Sequence, residues 1–306
     1  MGYSRWDDKS WSAYSSTKTK GKSTSAIFTS SRLHPEFDPS KITIRESRDS
    51  DLNPKSNAII IALDVSGSMG ILADAMIREG LNILLTEIYA RKPVEDPHVM
   101  LMGIDDVEVG DEVPLQVTQF EADIKLAEQL QKIFLEHGGG GNHYESYALA
   151  WYFAATRTSI DCFEKRGQKG VLFTIGDEEP TPYLRANDIK KVMGTGPQTD
   201  LNSEELLTMV RRQYDVYHIM VEQGNHFRSY GDRVTKKWRD ILGQNAILLP
   251  DHTKISETIV SILQLRSGKD KDEILSSWDG STAVSVRKSI NDLVVSKIDS
   301  SEIVSL

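Results

Sequence analysis

The 306-residue sequence holds one cysteine, Cys162, no apolar run near the roughly 20 residues that cross a bilayer, and no surplus of positive charge. Each scarcity excludes something. A lone cysteine cannot close an internal disulfide, and without a CxxC partner it has no zinc or redox work, so Cys162 reads as a core or surface thiol. Residues 1–31 lack the apolar stretch of a secretory signal, which makes a cytoplasmic, membrane-free protein the expectation. The net charge of -9 argues against nucleic acid as a partner, because that needs clustered Lys and Arg to displace counterions. The charge is uneven: residues 1–50 hold nine Lys and Arg against six Asp and Glu, +3, which leaves -12 for the remainder.

What is present suggests one substantial α/β domain with attachments, since the apolar fraction of 39% supports a sizeable core. Residues 1–54 open with a Ser/Thr/Lys-rich stretch carrying Tyr3, Trp6, Trp11 and Tyr14 without sustained period, and are expected to be flexible. Residues 55–266 alternate strand and helix signals. Ala58-Ile-Ile-Ile-Ala-Leu63 and Gly170-Val-Leu-Phe-Thr-Ile-Gly176 are continuous apolar runs rich in β-branched residues, as expected of parallel strands buried on both faces. A helix follows the first run to about Ala90. Val99–Ile104 and Leu115–Phe120 resemble a hairpin, and Ala122–His137 has helical spacing up to the glycines Gly138–Gly141. Later come a helix at Ser203–Arg212, a strand at Val216–Val221, a helix at Asp232–Leu242, a strand at Ala246–Leu249 and a helix at Ile255–Leu265. This order predicts a doubly wound, mainly parallel, Rossmann-like sheet with helices on both faces and one β-hairpin edge. Residues 267–306 form a C-terminal extension in which Lys269–Glu273 reads as a linker and Val284–Val295 as a short helix.

In such a sheet the loops after the strand C-termini converge on one edge. Three of them carry oxygen donors: Asp64, Ser66 and Ser68; Asn142 and Glu145; and Asp177. Oxygen ligands without cysteine suit a hard cation, Mg²⁺ first, with Ca²⁺ or Mn²⁺ in a looser cage. In Asp-x-Ser-x-Ser, alternate residues at a tight turn can face one centre while Gly67 relieves the backbone. Two hydroxyls beside a few carboxylates leave the cation weakly neutralised, and a partner's Asp or Glu can supply one more anionic oxygen.

Asp64-Val-Ser-Gly-Ser68 after a buried strand resembles the first element of the metal-ion-dependent adhesion site (MIDAS) of von Willebrand factor A (VWA) domains. Asp177 after the later strand resembles the third, and the likeness runs from about Asn57 to Arg266. The second element departs from the commonest pattern, in which a glycine pair precedes a threonine. Gly138-Gly-Gly-Gly-Asn-His-Tyr-Glu145 instead resembles a bacterial variant in which a glycine run is followed by an aspartate and then a glutamate, with Asn142 in the aspartate's place. Which of Asn142, His143 and Glu145 touches the metal stays open at this point. The resemblance implies that Ser66 and Ser68 coordinate directly and that Asp64 and Asp177 act largely through water. It also implies a non-enzymatic binding module, of the kind found in intracellular bacterial or phage proteins, often as an adaptor beside an AAA+ ATPase.

Blander readings stand beside these. Serines and an aspartate after a strand can simply cap a helix. His137 and His143 are loop histidines without a supporting His or Cys spacing. Glu178 and Glu179 read as solvated. The glycine run lacks the Lys-Ser/Thr ending of a phosphate loop. A Mg²⁺-dependent phosphohydrolase using Asp64 as nucleophile would want a second aspartate where Ser66 stands. A self-assembling structural subunit is the other alternative, with Asp299 and Glu302 as ligands offered to a neighbouring copy.

Overall fold

The computed structural model describes residues 4–109, 113–136 and 142–294. In chain order its main elements are α1 (Asp8–Lys18), β1 (Ser56–Asp64), α2 (Gly70–Ala75), α3 (Leu81–Arg91), β2 (Asp96–Ile104), β3 (Leu115–Val117), α4 (Lys125–Leu130), α5 (Tyr147–Thr156) and β4 (Gly170–Gly176). There follow α6 (Ala186–Met193), α7 (Ser203–Val210), β5 (Tyr214–Val221), α8 (Asn225–Leu242), β6 (Ala246–Leu249), α9 (Ile255–Arg266), α10 (Lys271–Ser276) and α11 (Gly280–Ile290).

The strands form one sheet in the order β6-β5-β4-β1-β2-β3. Every pairing is parallel except β2–β3, where Met102 faces Val117 and Ile104 faces Leu115. The fold is therefore the doubly wound α/β class, with its single antiparallel strand at one edge. The two-residue period of β1 explains why its run is apolar throughout. Ile59, Ile61 and Leu63 enter a core shared with α2, α3, α4, α9 and α11, while Ala58, Ile60 and Ala62 enter one shared with α5, α6, α7 and α8. The strand order reverses at β1, whose neighbours are β2 and β4, and the crevice beyond that switch point is where such sheets bind ligands.

The N-terminal segment corrects the expectation of flexibility. Asp7 caps α1, and Trp6, Trp11 and Tyr14 are buried in the same core as β1. Trp6 Nε1 donates to Asn82 Oδ1 on α3 at 3.0 Å, and Tyr14 Oη donates to the Ala127 carbonyl on α4 at 3.1 Å. Trp6, Trp11 and Tyr14 thus dock on the chain's own body, and Tyr3 lies outside the described residues. At the other end, residues 269–273 are not a plain linker, because Asp270 caps α10. α11 lies against β6 and α9, burying Val286 and Ile290.

The helix expected over Ala122–His137 is also shorter, ending as α4 at Leu130. The cause is Gln116, fully buried on β3. Its amide donates to the Phe134 carbonyl at 2.8 Å and accepts from the Phe134 N–H at 2.9 Å, so it stands in for a neighbouring strand and holds the chain out of helix. His137 and the glycines Gly138–Gly141 lie outside the described residues, as do Asp299 and Glu302.

Candidate metal centre

Leu63 on β1 lies beside Ile175 on β4, so Asp64, one residue on, and Asp177, two residues on, emerge close together at the switch point. Asp64 is fully buried. Its Oδ1 accepts from the Ser66 N–H at 3.0 Å and the Ser66 hydroxyl at 2.7 Å, and its Oδ2 accepts from Tyr147 Oη at 3.1 Å. A Ser66 hydroxyl that gives its proton to Asp64 keeps its lone pairs for a cation. Gly67 has φ of +33°, a backbone that favours glycine, and begins the 3-10 turn Gly67–Met69 that carries the exposed Ser68.

Asp177 is held by the start of α8, which follows the neighbouring strand β5. Its Oδ2 accepts from the backbone N–H groups of His226, at 2.8 Å, and Phe227, at 3.4 Å, in the first turn of α8. The helix thus receives from β4 the carboxylate that its own start lacks. A side chain at Gly224 would bring a Cβ within 2.1 Å of Asp177 Oδ2, so this approach requires glycine there.

In the second loop, Asn142 donates to Asp106 and accepts from the Tyr144 N–H at 3.0 Å. Glu145 is buried, its backbone in a short parallel pairing of Tyr144–Glu145 with Glu179–Pro180. His143 is exposed, its ring 5.3 Å from that of His226 and 5.0 Å from that of Tyr230.

Asp64, Glu145, Asp177 and Glu178 therefore crowd one dry corner, and among the described residues none of them has a Lys or Arg within ion-pair distance. Burial, and secondarily the charge of Asp177, pushes Asp64 up to about 7. Burial, then Asp64 and Asp177, pushes Glu178 up to about 8. Glu145 is raised well above the usual carboxylate range by burial, then by Asp64 and Asp105. Burial raises Asp177 too, against the pull of the α8 N–H groups. Buried like charges without a counter-ion titrate upward or gather a cation.

The donor set fits a hard divalent cation. Glu145 Oε2 is buried without a hydrogen-bond partner among the described residues. The described residues contain no cluster of three Asp, Glu, His or Cys that would grip an ion by themselves. A cation there would have to be completed by the hydroxyls of Ser66 and Ser68 and by water. Cys162 is buried and remote from this chemistry, packed with the core that includes Ala58 and Ile60.

Several parts of the site carried no clear sequence signal. Tyr147, on α5, bridges Asp64 and the Glu178 N–H, the latter at 3.4 Å. Asp105 and Asp106 follow β2, beside β1, and their place at a strand C-terminus was the available hint. The expectation that Glu178 and Glu179 are solvated is corrected. Glu179 is fully buried and ion-paired with both Arg233 and Lys237 of α8, because the Tyr144–Glu145 pairing and α8 close over it. Gly176 explains the Gly before Asp177: a Cβ there would lie 2.0 Å from Tyr147 Oη and 2.8 Å from Asp64 Oδ2. Gly176→Ala should cost about 1–3 kcal/mol through overpacking and weaken cation binding. Urea denaturation and Mg²⁺ titration read the two effects, and wild-type values in both would contradict this packing.

No family model and no curated protein matches the sequence. Among solved structures, the pilus adhesin SpaC from Lactobacillus rhamnosus GG, in its open conformation, aligns at 12% identity and TM-score 0.46 over 76% of this chain and 31% of that one. A von Willebrand factor type A protein from Catenulispora acidiphila aligns at 13% identity and TM-score 0.39 over 70% and 43%. Proximal thread matrix protein 1 from the mussel byssus, with a zinc-occupied MIDAS motif, aligns at 9% identity and TM-score 0.38 over 70% and 48%. The chain thus spans less than half the length of each of these proteins. No described helix is long and apolar enough to cross a membrane.

Proposed function

We propose that the chain is a metal-dependent protein-binding module, an adaptor or assembly component and not an enzyme. Asp64, Ser66, Ser68 and Asp177, with Asn142 and Glu145 beside them, would hold Mg²⁺ or a similar hard cation. The cation would supply a positive anchor for a carboxylate oxygen of a partner protein. One observation carries this reading: buried carboxylates that have no Lys or Arg partner among the described residues stand beside Ser66 at the switch point of the sheet, with Ser68 two residues on. Ser66 and Tyr147 already engage both oxygens of Asp64, an arrangement that suits a fixed positioning group better than an attacking one. An AAA+ ATPase assembly is the partner setting that the VWA resemblance implies, and a second copy of this chain offering Asp299 or Glu302 is the alternative.

Isothermal titration of metal-stripped protein with Mg²⁺, Mn²⁺ and Ca²⁺ tests the proposal directly. Saturable binding is expected in the wild type and its loss in Asp64→Ala. Equal binding by both proteins would remove Asp64 from the site and the reading with it.

A further inference from the structure

α8 begins at the candidate metal centre, where the His226 N–H meets Asp177, and then runs along the second loop. Its residues Arg233 and Lys237 share one carboxylate, Glu179, which is itself buried. One negative charge against two positive ones leaves a surplus cation, on side chains that are 44% and 37% exposed. These cations rest on aromatic rings. Arg233 lies over Tyr230 at 4.7 Å and Lys237 over Tyr144 at 4.9 Å, with the exposed His143 edge-on to Tyr230. A cationic, aromatic ridge thus borders a site otherwise built from acids.

Its distance from the site is set by the backbone. Glu179 follows Asp177 by two residues, about 7 Å of extended chain. Arg233 lies beyond a kink in α8 at Tyr230, and it pairs with the same Glu179 oxygen that lies 4.0 Å from Nε2 of His226, so the ridge adjoins the centre. An extended peptide covers that gap in two or three residues. We propose that the ridge is the second anchor for an acidic peptide, whose first carboxylate reaches the cation and whose second, two or three residues along, pairs with Arg233 and Lys237. The inference rests on the carboxylate-binding reading of the site. Charge favours a peptide over nucleic acid, because the positive surface is confined to Arg233 and Lys237, beside the exposed Asp232, on a chain of net charge -9.

Fluorescence polarisation with dye-labelled Gly/Ser peptides tests it, at saturating Mg²⁺ and low salt. The probes carry one Asp; an Asp and a Glu two or three residues apart; or the same pair set far apart. The closely spaced pair is expected to bind about fivefold more tightly than the other probes, the scale of one exposed ion pair. The gain should vanish in Arg233→Gln, which leaves Lys237 to neutralise Glu179 and so preserves the fold. No gain from the second acid, or a gain that survives in folded Arg233→Gln, would overturn the ridge while leaving Mg²⁺-dependent binding of the single-Asp probe intact. A gain that persists without any dependence on Mg²⁺ or on Asp64 would keep the ridge and remove the metal reading. Competition by an oligonucleotide of equal charge, as strong as by the acidic peptide, would overturn the peptide assignment, and no binding by any probe would overturn both.

Discussion

Metal-stripped protein is expected to lose stability as pH rises from about 4 to about 8, and Mg²⁺ is expected to flatten or reverse that loss. The unfolded pKa of Asp is about 3.9, while burial and Asp177 hold folded Asp64 at about 7. A carboxyl whose pKa is higher when folded grips its proton more firmly in the native state. It therefore supports folding fully below its unfolded value and loses that support as pH climbs through its folded value. For Asp64 alone the shift sets an upper bound on the order of 4 kcal/mol. Glu178, raised to about 8, and Glu145 act in the same direction. A bound cation favours the charged forms, so affinity for Mg²⁺ should rise over the same window and binding should release protons. Urea midpoints across this range, with EDTA and with Mg²⁺, measure the effect, and Asp64→Asn isolates the Asp64 share. Parallel pH profiles with and without Mg²⁺ would mean that these carboxylates are not the cation's ligands.

The same residues show how far the sequence could be read. β1 and β4 were legible because strands covered on both faces need apolar residues at every position, and few other structures do. Asp64, Ser66, Ser68 and Asp177 were legible because each follows such a strand, so the sheet itself specifies where they meet. Tyr147 was not, since a tyrosine opening an apolar helix looks like core; only the approach of Gly176 and Asp64 reveals its hydroxyl as a bridge. Glu179 was misjudged for the matching reason. Its two cations arrive from α8, more than 50 residues away, and no local pattern announces them. Helix boundaries failed where one side chain intervened, as Gln116 does at Phe134. The N-terminal segment was misread because α1 buries only Trp11 and Tyr14, too few positions to register as an amphipathic period.

The same N-terminal segment carries the largest effect on stability expected of this protein. Trp11 sits between Trp6, with ring centroids 5.5 Å apart, and Tyr14, at 6.0 Å, and the three aromatics fill the surface between α3 and α4 together with Ile27 and Phe28. Trp11→Ala should cost about 3–5 kcal/mol, the range for removing a large buried aromatic. Deleting residues 1–30 removes all five side chains and bares the apolar faces beneath them. At about 1.5–3 kcal/mol for each buried apolar side chain, the loss is comparable with the whole stability of an ordinary domain, about 5–15 kcal/mol. The truncated chain is therefore expected to be insoluble, or to persist as a loosely packed state that binds hydrophobic dye. Saturating Mg²⁺ should restore little of this, because the docked surface lies on the helices that flank the sheet and not on the switch-point loops. Urea denaturation of Trp11→Ala, with expression and dye binding of the truncation, decides the matter. A truncated protein that unfolds at the wild-type midpoint would show that the sheet and its flanking helices fold without the segment, and that the Trp6–Trp11–Tyr14 cluster serves some purpose other than stability.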